Sequence, residues 1–128
     1  MKGIEGDTIL FGQYIKDKRE KLGKSIRGLA AELEMTPAYL SDIEKGNRYA
    51  PEKFLDKFID ILKIPEDEKN RFYDLVGESR NNNYPDLNEY IGSSDLARVA
   101  LRKARDIELP KEHWQHIIDE MNEYENDK

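Results

Sequence analysis

The chain has 128 residues, a formal net charge of −6 and equal shares, 38% each, of hydrophobic and charged residues, which suffices for one core, or a small core with an appended helical unit. With no cysteine, a disulfide framework, a thiolate zinc site and a cysteine nucleophile are excluded together. The charge is uneven: up to Arg48 nine Lys and Arg stand against eight Asp and Glu, whereas from Asn81 onward six stand against eleven, so the acidity belongs to the C-terminal part and the N-terminal part is nearly neutral.

The N-terminal stretch MKGIEGDTILFG lacks a basic leader followed by a long apolar run, and no segment approaches ~18 consecutive apolar residues. The expectation is a soluble, cytoplasmic protein without a membrane partner. The apolar spacing is helical nearly throughout, and no stretch alternates like a strand. A first helix is predicted over about Thr8 to Leu22, capped by Asp7, with Phe11, Ile15 and Leu22 inward and Gly23 ending it. Ser25 caps a second through Leu33, with Ile26, Leu29, Ala30 and Leu33 on one face. Thr36 and Pro37 start a third, because the hydroxyl accepts an orphan amide and proline needs no partner at the first helical position; Gly46 stops it. Pro51 and Pro65 open two more, burying Phe54, Leu55, Phe58, Ile59 and Leu62, then Phe72, Leu75 and Val76.

The polar, asparagine-rich run from Glu78 to Pro85 reads as a linker, and divides the chain into residues 1–80 and 81–128. Beyond it PDLNEYIG forms at most a short helical turn. Ser94 starts a helix with Leu96, Ala97, Ala100, Leu101, Ala104 and Ile107 inward, and Pro110 restarts the chain into a last helix striped by Trp114, Ile117, Ile118, Met121 and Tyr124. Two such helices bury little alone. The stripe of Trp114, Ile117, Ile118 and Met121 is therefore expected either to dimerise or to dock on the chain's own head.

Two short helices joined by a tight turn, the second begun by a capping Thr and small residues, have the geometry that places a helix N-terminus in the DNA major groove. The run from Ile15 to Pro51 also resembles the lambda-repressor/Cro (XRE) type of helix-turn-helix regulator. The matching features are Ile15, Arg19, Gly23, Ser25, Leu29-Ala30, the block TPAYLSDIEKG from Thr36 to Gly46, and Pro51. The resemblance covers about residues 8–77 and implies an all-α fold, a five-helix head that binds double-stranded DNA, followed here by a small helical extension.

On this resemblance the base-reading positions fall on Pro37, Ala38 and Asp42. Pro37 and Ala38 offer only apolar contact with a thymine methyl, and Asp42 reads either as an acceptor from a cytosine amine or as a solvated surface acid. Phosphate contacts are expected from Arg27, Thr36, Tyr39, Lys45, Asn47, Arg48, Tyr49 and Lys53. Arg19 and Glu44 match positions that resemble a buried ion pair joining the first helix to the third. Two residues depart from the pattern: Ile26 stands where many members carry a phosphate-anchoring Gln, and Glu34 where the turn commonly has Gly.

His113 and His116, near Glu112 and Glu120, are the candidates for metal or acid/base chemistry, but sit on a terminal helix, and no phosphate-binding glycine loop, nucleophile elbow or HExxH stretch occurs. No catalytic residue, metal or cofactor is expected. The reading is an autoregulating repressor that binds a palindromic operator as a homodimer. The alternative is an antitoxin or other protein-interaction module, partnered by a toxin or a metalloprotease, that binds DNA secondarily.

Overall fold

The computed structural model describes residues 3–128, with side chains from residue 10 onward. All regular structure among the described residues is helical, and the chain divides into two compact units, Met1–Leu87 and Asn88–Lys128.

In the first unit, α1 spans Gly3–Lys21. It starts before the expected Thr8, so Asp7 lies within the helix and does not cap it. No proline between Gly3 and Thr8 forces the chain out of helical geometry, and an Asp caps only where the chain enters a helix. Leu22, expected inward, is exposed. It falls past the end of α1, in the turn to Gly23 at φ 70°, where helical periodicity no longer aims the side chain. α2 spans Ile26–Leu33, and its Ser25 cap accepts from the Gly28 amide at 2.9 Å. α3 spans Pro37–Lys45 and ends at Gly46, whose φ of 84° is the left-handed geometry that glycine takes without steric cost. α4 (Leu55–Ile61) and α5 (Lys69–Glu78) each follow a single 3-10 turn behind Pro51 and Pro65.

The core forms where α1 packs on α3 and α5, and α2 packs on α3 and α4. Phe11 meets Phe58 and Phe72 edge-on, with ring centroids 6.3 and 5.8 Å away, and all three rings are fully buried. Each such side chain stabilises the fold by roughly 1.5–3 kcal/mol. Gly12 sets how closely α1 approaches α3: a Cβ there would lie 2.5 Å from the Ile43 carbonyl oxygen and nearer still to that of Glu44. Also on α1, Tyr14 donates to Glu68 at 2.8 Å while Lys18 pairs with the same carboxylate at 2.7 Å. Burial, then the bond to Glu68, pushes the Tyr14 phenol well above its ordinary range.

The segment after α5 folds back within the same unit. Asn81 and Asn82 take left-handed backbone (φ 62° and 63°), which asparagine tolerates better than most residues, and the Asn82 amide donates to the Gly77 carbonyl at 2.8 Å. Tyr84 lies so close over Gly77 that any side chain there would collide with the ring. The division between units accordingly falls after Leu87, beyond the asparagine-rich run.

The second unit holds most of α6 (Pro85–Ser93), then α7 (Asp95–Asp106) and α8 (Lys111–Asn126). Ser94 caps α7 by accepting from the Ala97 amide at 3.2 Å, and Arg98 donates to the Ile91 and Gly92 carbonyls, each at 2.7 Å, tying the end of α6 to α7. The stripe expected to face inward from α7 does not: Leu96 is 81% and Ile107 62% exposed, with Ala100 and Leu101 also exposed. Helical spacing puts these residues on one face, but spacing does not supply a surface to cover it.

Candidate nucleic-acid interface

The corner between α2 and α3 is a turn of Glu34, Met35 and Thr36. Glu34 occupies the left-handed region (φ 62°, ψ 42°) and closes α2, its amide reaching the Ala30 and Ala31 carbonyls while Met35 N–H donates to Ala30 at 3.0 Å. A glutamate thus performs the C-terminal capping usually left to glycine, at a conformational cost of about 1 kcal/mol. Its exposed carboxylate lies 3.4 Å from Lys57. The start of α3 is unstrained: Thr36 Oγ1 accepts from the Tyr39 amide at 3.1 Å, and Pro37 takes the first helical position.

Thr36, Pro37 and Ala38 are exposed together at this N-terminus, while Asp42 is half-buried one turn further on. Tyr39 is also half-buried, edge-on to Phe54 at 6.4 Å, and the Arg48 guanidinium lies over its ring, 4.5 Å from the centroid. Tyr39, Asn47, Arg48 and Tyr49 line one concavity of ≈ 560 Å³ with Pro51. Asn47, Arg48 and Tyr49 are exposed beyond the Gly46 cap, where Asn47 N–H donates to the Asp42 carbonyl at 2.9 Å. Lys53 is exposed and 5.3 Å from the centre of Phe54. Arg27 is exposed on α2 and borders neither this concavity nor the next.

Lys45 instead borders a second concavity of ≈ 420 Å³, with Gln13 and Lys16 from α1, Ile26 from α2 and Ser41 from α3. Lys16 is an exposed cation on α1 that the sequence reading did not single out. Nothing local to it signals that the fold brings it beside Lys45. Arg19 and Glu44 form the floor: Nε to Oε2 is 2.8 Å, Nη2 to Oε1 is 3.0 Å, and Nη1 donates to the Lys24 carbonyl at 2.9 Å. The bond to Glu44 holds the guanidinium above its already very basic range. This bidentate pair joins the last turn of α1 to the last turn of α3, and so fixes the depth at which α3 stands.

Arg80 is a residue that sequence reasoning missed altogether. Its Nη2 donates to the Ala50 carbonyl at 2.5 Å, its guanidinium lies 4.6 Å from the centre of Tyr49, and its Nε is buried without a hydrogen-bond partner among the described residues. The turn after α5 therefore tethers the loop that carries Asn47, Arg48 and Tyr49. The separation of 30 positions between Arg80 and Ala50 leaves no local sequence signal for it.

Residues 15–69 match the helix-turn-helix family model. This segment is a helix-turn-helix domain of the lambda-repressor/Cro type. No curated protein and no solved structure matches the chain. The helix-turn-helix domain contains every element of the corner, from Arg19 on α1 through the Gly46 cap to Lys53, and supports a DNA-binding regulator. It ends before Arg80, so the tether is a feature of this chain outside the matched segment. No helix among the described residues is long and apolar enough to cross a membrane, and no cluster of three or more His, Cys, Asp or Glu that could hold a metal occurs among them.

Proposed function

We propose that this protein is a sequence-specific, cytoplasmic transcriptional regulator without catalytic activity, a repressor of its own transcription that binds a palindromic operator as a dimer. The observation that carries the reading is the exposed N-terminus of α3, with Thr36, Pro37 and Ala38 presented together beside the loop of Asn47, Arg48 and Tyr49. A helix N-terminus and the exposed cations Arg48 and Lys53 suit phosphates flanking a groove, while Ala38 and Pro37 suit thymine methyls and Asp42 a cytosine amine. So few donors favour operators chosen partly by DNA shape.

Two half-sites one helical turn apart, about 34 Å, demand two copies of the head, and weak individual heads gain from being linked. Footprinting on the DNA upstream of the protein's own gene tests the reading. A protected site with two related halves is expected, its affinity falling with salt at a log–log slope of about −0.9 per phosphate neutralised. Absence of any protected site, or affinity indifferent to salt, would overturn it.

A further inference from the structure

α3 has two flanks. By helical spacing Pro37, Ser41 and Lys45 stand in one row along it, with Ala38 and Asp42 beside them, whereas Tyr39 falls on the other side of the helix from Pro37. The loop of Asn47, Arg48 and Tyr49 gathers on the Tyr39 side. The row of Pro37, Ser41 and Lys45 leads instead from the exposed N-terminus into the concavity shared with α1. The reading end and that concavity form one continuous strip of α3.

Charges in the concavity do not cancel. Its lining holds three cations, Lys16, Arg19 and Lys45, against one carboxylate, Glu44. Arg19 and Glu44 are committed to each other through two hydrogen bonds. Lys16 and Lys45, both exposed, have no ion pair among the described residues. Gln13, one turn before Lys16, already donates its amide to Asp17 at 3.2 Å, so the uncommitted donors are the two ammonium groups and the half-buried Ser41 hydroxyl. Two uncompensated cations from different helices with a hydroxyl beside them suit an oxyanion with several acceptor oxygens.

A helix seated in a major groove about 12 Å wide has a sugar-phosphate strand on each side. Arg48 and Lys53 supply cations on the Tyr39 side of α3. We infer that the concavity between α1 and α3 seats a DNA phosphate on the opposite strand, held by Lys16 and Lys45 with the Ser41 hydroxyl. Lys16 reads no base. It anchors α1 to the backbone and, with Arg48 on the other flank, fixes how α3 is rolled in the groove, since phosphate contacts position while base contacts specify. The inference rests on the DNA-binding reading and deepens it by a second flank.

The test uses the full chain and a mixed-sequence duplex, with binding followed by fluorescence anisotropy over roughly 50 to 200 mM salt. Lys16→Ala exchanges an exposed residue for a good helix former and leaves the fold in place. It should reduce the log–log salt slope by about 0.9, so that the parent's advantage shrinks roughly 3.5-fold across that range. Lys16→Arg should keep the parent slope. Lys111→Ala removes an equal charge from α8 and should leave the slope unchanged; a fall as large as that of Lys16→Ala would assign the effect to net charge and overturn the inference. Within one half-site protected upstream of the gene, a neutral methylphosphonate that weakens the parent but not Lys16→Ala should lie on the strand opposite the one that behaves so with Arg48→Ala. Finding both on one strand overturns the placement. A slope unchanged by Lys16→Ala overturns the inference, while a protected upstream site keeps the regulator reading. The Lys16 effect without any protected site sinks that reading and leaves this contact standing, and a parent that binds no duplex overturns both.

Discussion

Replacing Arg19 by methionine removes a guanidinium held by three hydrogen bonds, two to Glu44 and one to the Lys24 carbonyl, while keeping most of its apolar length. Side-chain exposure is 10% for Arg19 and 5% for Glu44, so the variant strands a carboxylate that water barely reaches. Breaking one side of a buried pair costs about 3–5 kcal/mol. For a unit of this size each kcal/mol lowers the melting temperature by roughly 4–8 °C, so even the lower figure corresponds to a fall on the order of 12–24 °C. Thermal unfolding of the full chain by circular dichroism at neutral pH measures it. The same reasoning requires that Arg19→Met combined with Glu44→Leu recover much of the loss, since the second change removes the stranded charge. A single variant melting within about 2 °C of the parent, or a double variant no better than the single, would refute the claim that the pair is buried and mutually dependent.

Glu34→Gly should raise stability by about 0.5–1 kcal/mol, read from urea midpoints, because glycine adopts the left-handed φ of 62° without the Cβ penalty; a loss would mean that the Lys57 pair outweighs the strain. Arg48→Ala should weaken DNA binding and reduce the salt slope by about 0.9, whereas Arg80→Ala should weaken binding with the slope unchanged, since Arg80 holds Tyr49 and Ala50 instead of neutralising phosphate. Equal slopes for Arg48→Ala and the parent would remove Arg48 from the interface. The Glu68 carboxyl is held below its usual range by Lys18 and then Tyr14. Its folded pKa is depressed, so its contribution is complete above the ordinary glutamate value of about 4.3 and is lost as pH falls through the lower folded value. Glu68→Gln should flatten that part of the acid limb in stability-versus-pH curves, and an unchanged limb would show that other carboxylates account for it.

What could be read along the chain is what neighbours decide. Ser25, Thr36-Pro37 and Gly46 announce the ends of α2 and α3 because capping is chemistry between residues three or four apart, and each performs that role. Phe54, Leu55, Phe58, Ile59, Leu62, Phe72, Leu75 and Val76 were legible as core from helical period alone, and all are buried. The period failed where a helix ended or lacked a neighbour. Leu22 lies one residue beyond α1, and the α7 stripe, correctly spaced, is exposed.

The sequence by itself thus determined that α2 to α5, α7 and α8 become helices, where the corner turns, and that its N-terminal end offers apolar contacts and few donors; α6, nine residues from Pro85 to Ser93, exceeds the short turn expected there. The Arg19–Glu44 pair was implied by the resemblance; only the tertiary structure decided the close approach of α1 to α3 at Gly12 and what steadies the loop beside α3, through Arg80. The physical reason is range. Caps and periodicity act within a turn or two of the backbone, whereas close approach, ion pairing and stacking join residues far apart in the chain, so their partners exist only once the fold brings them together.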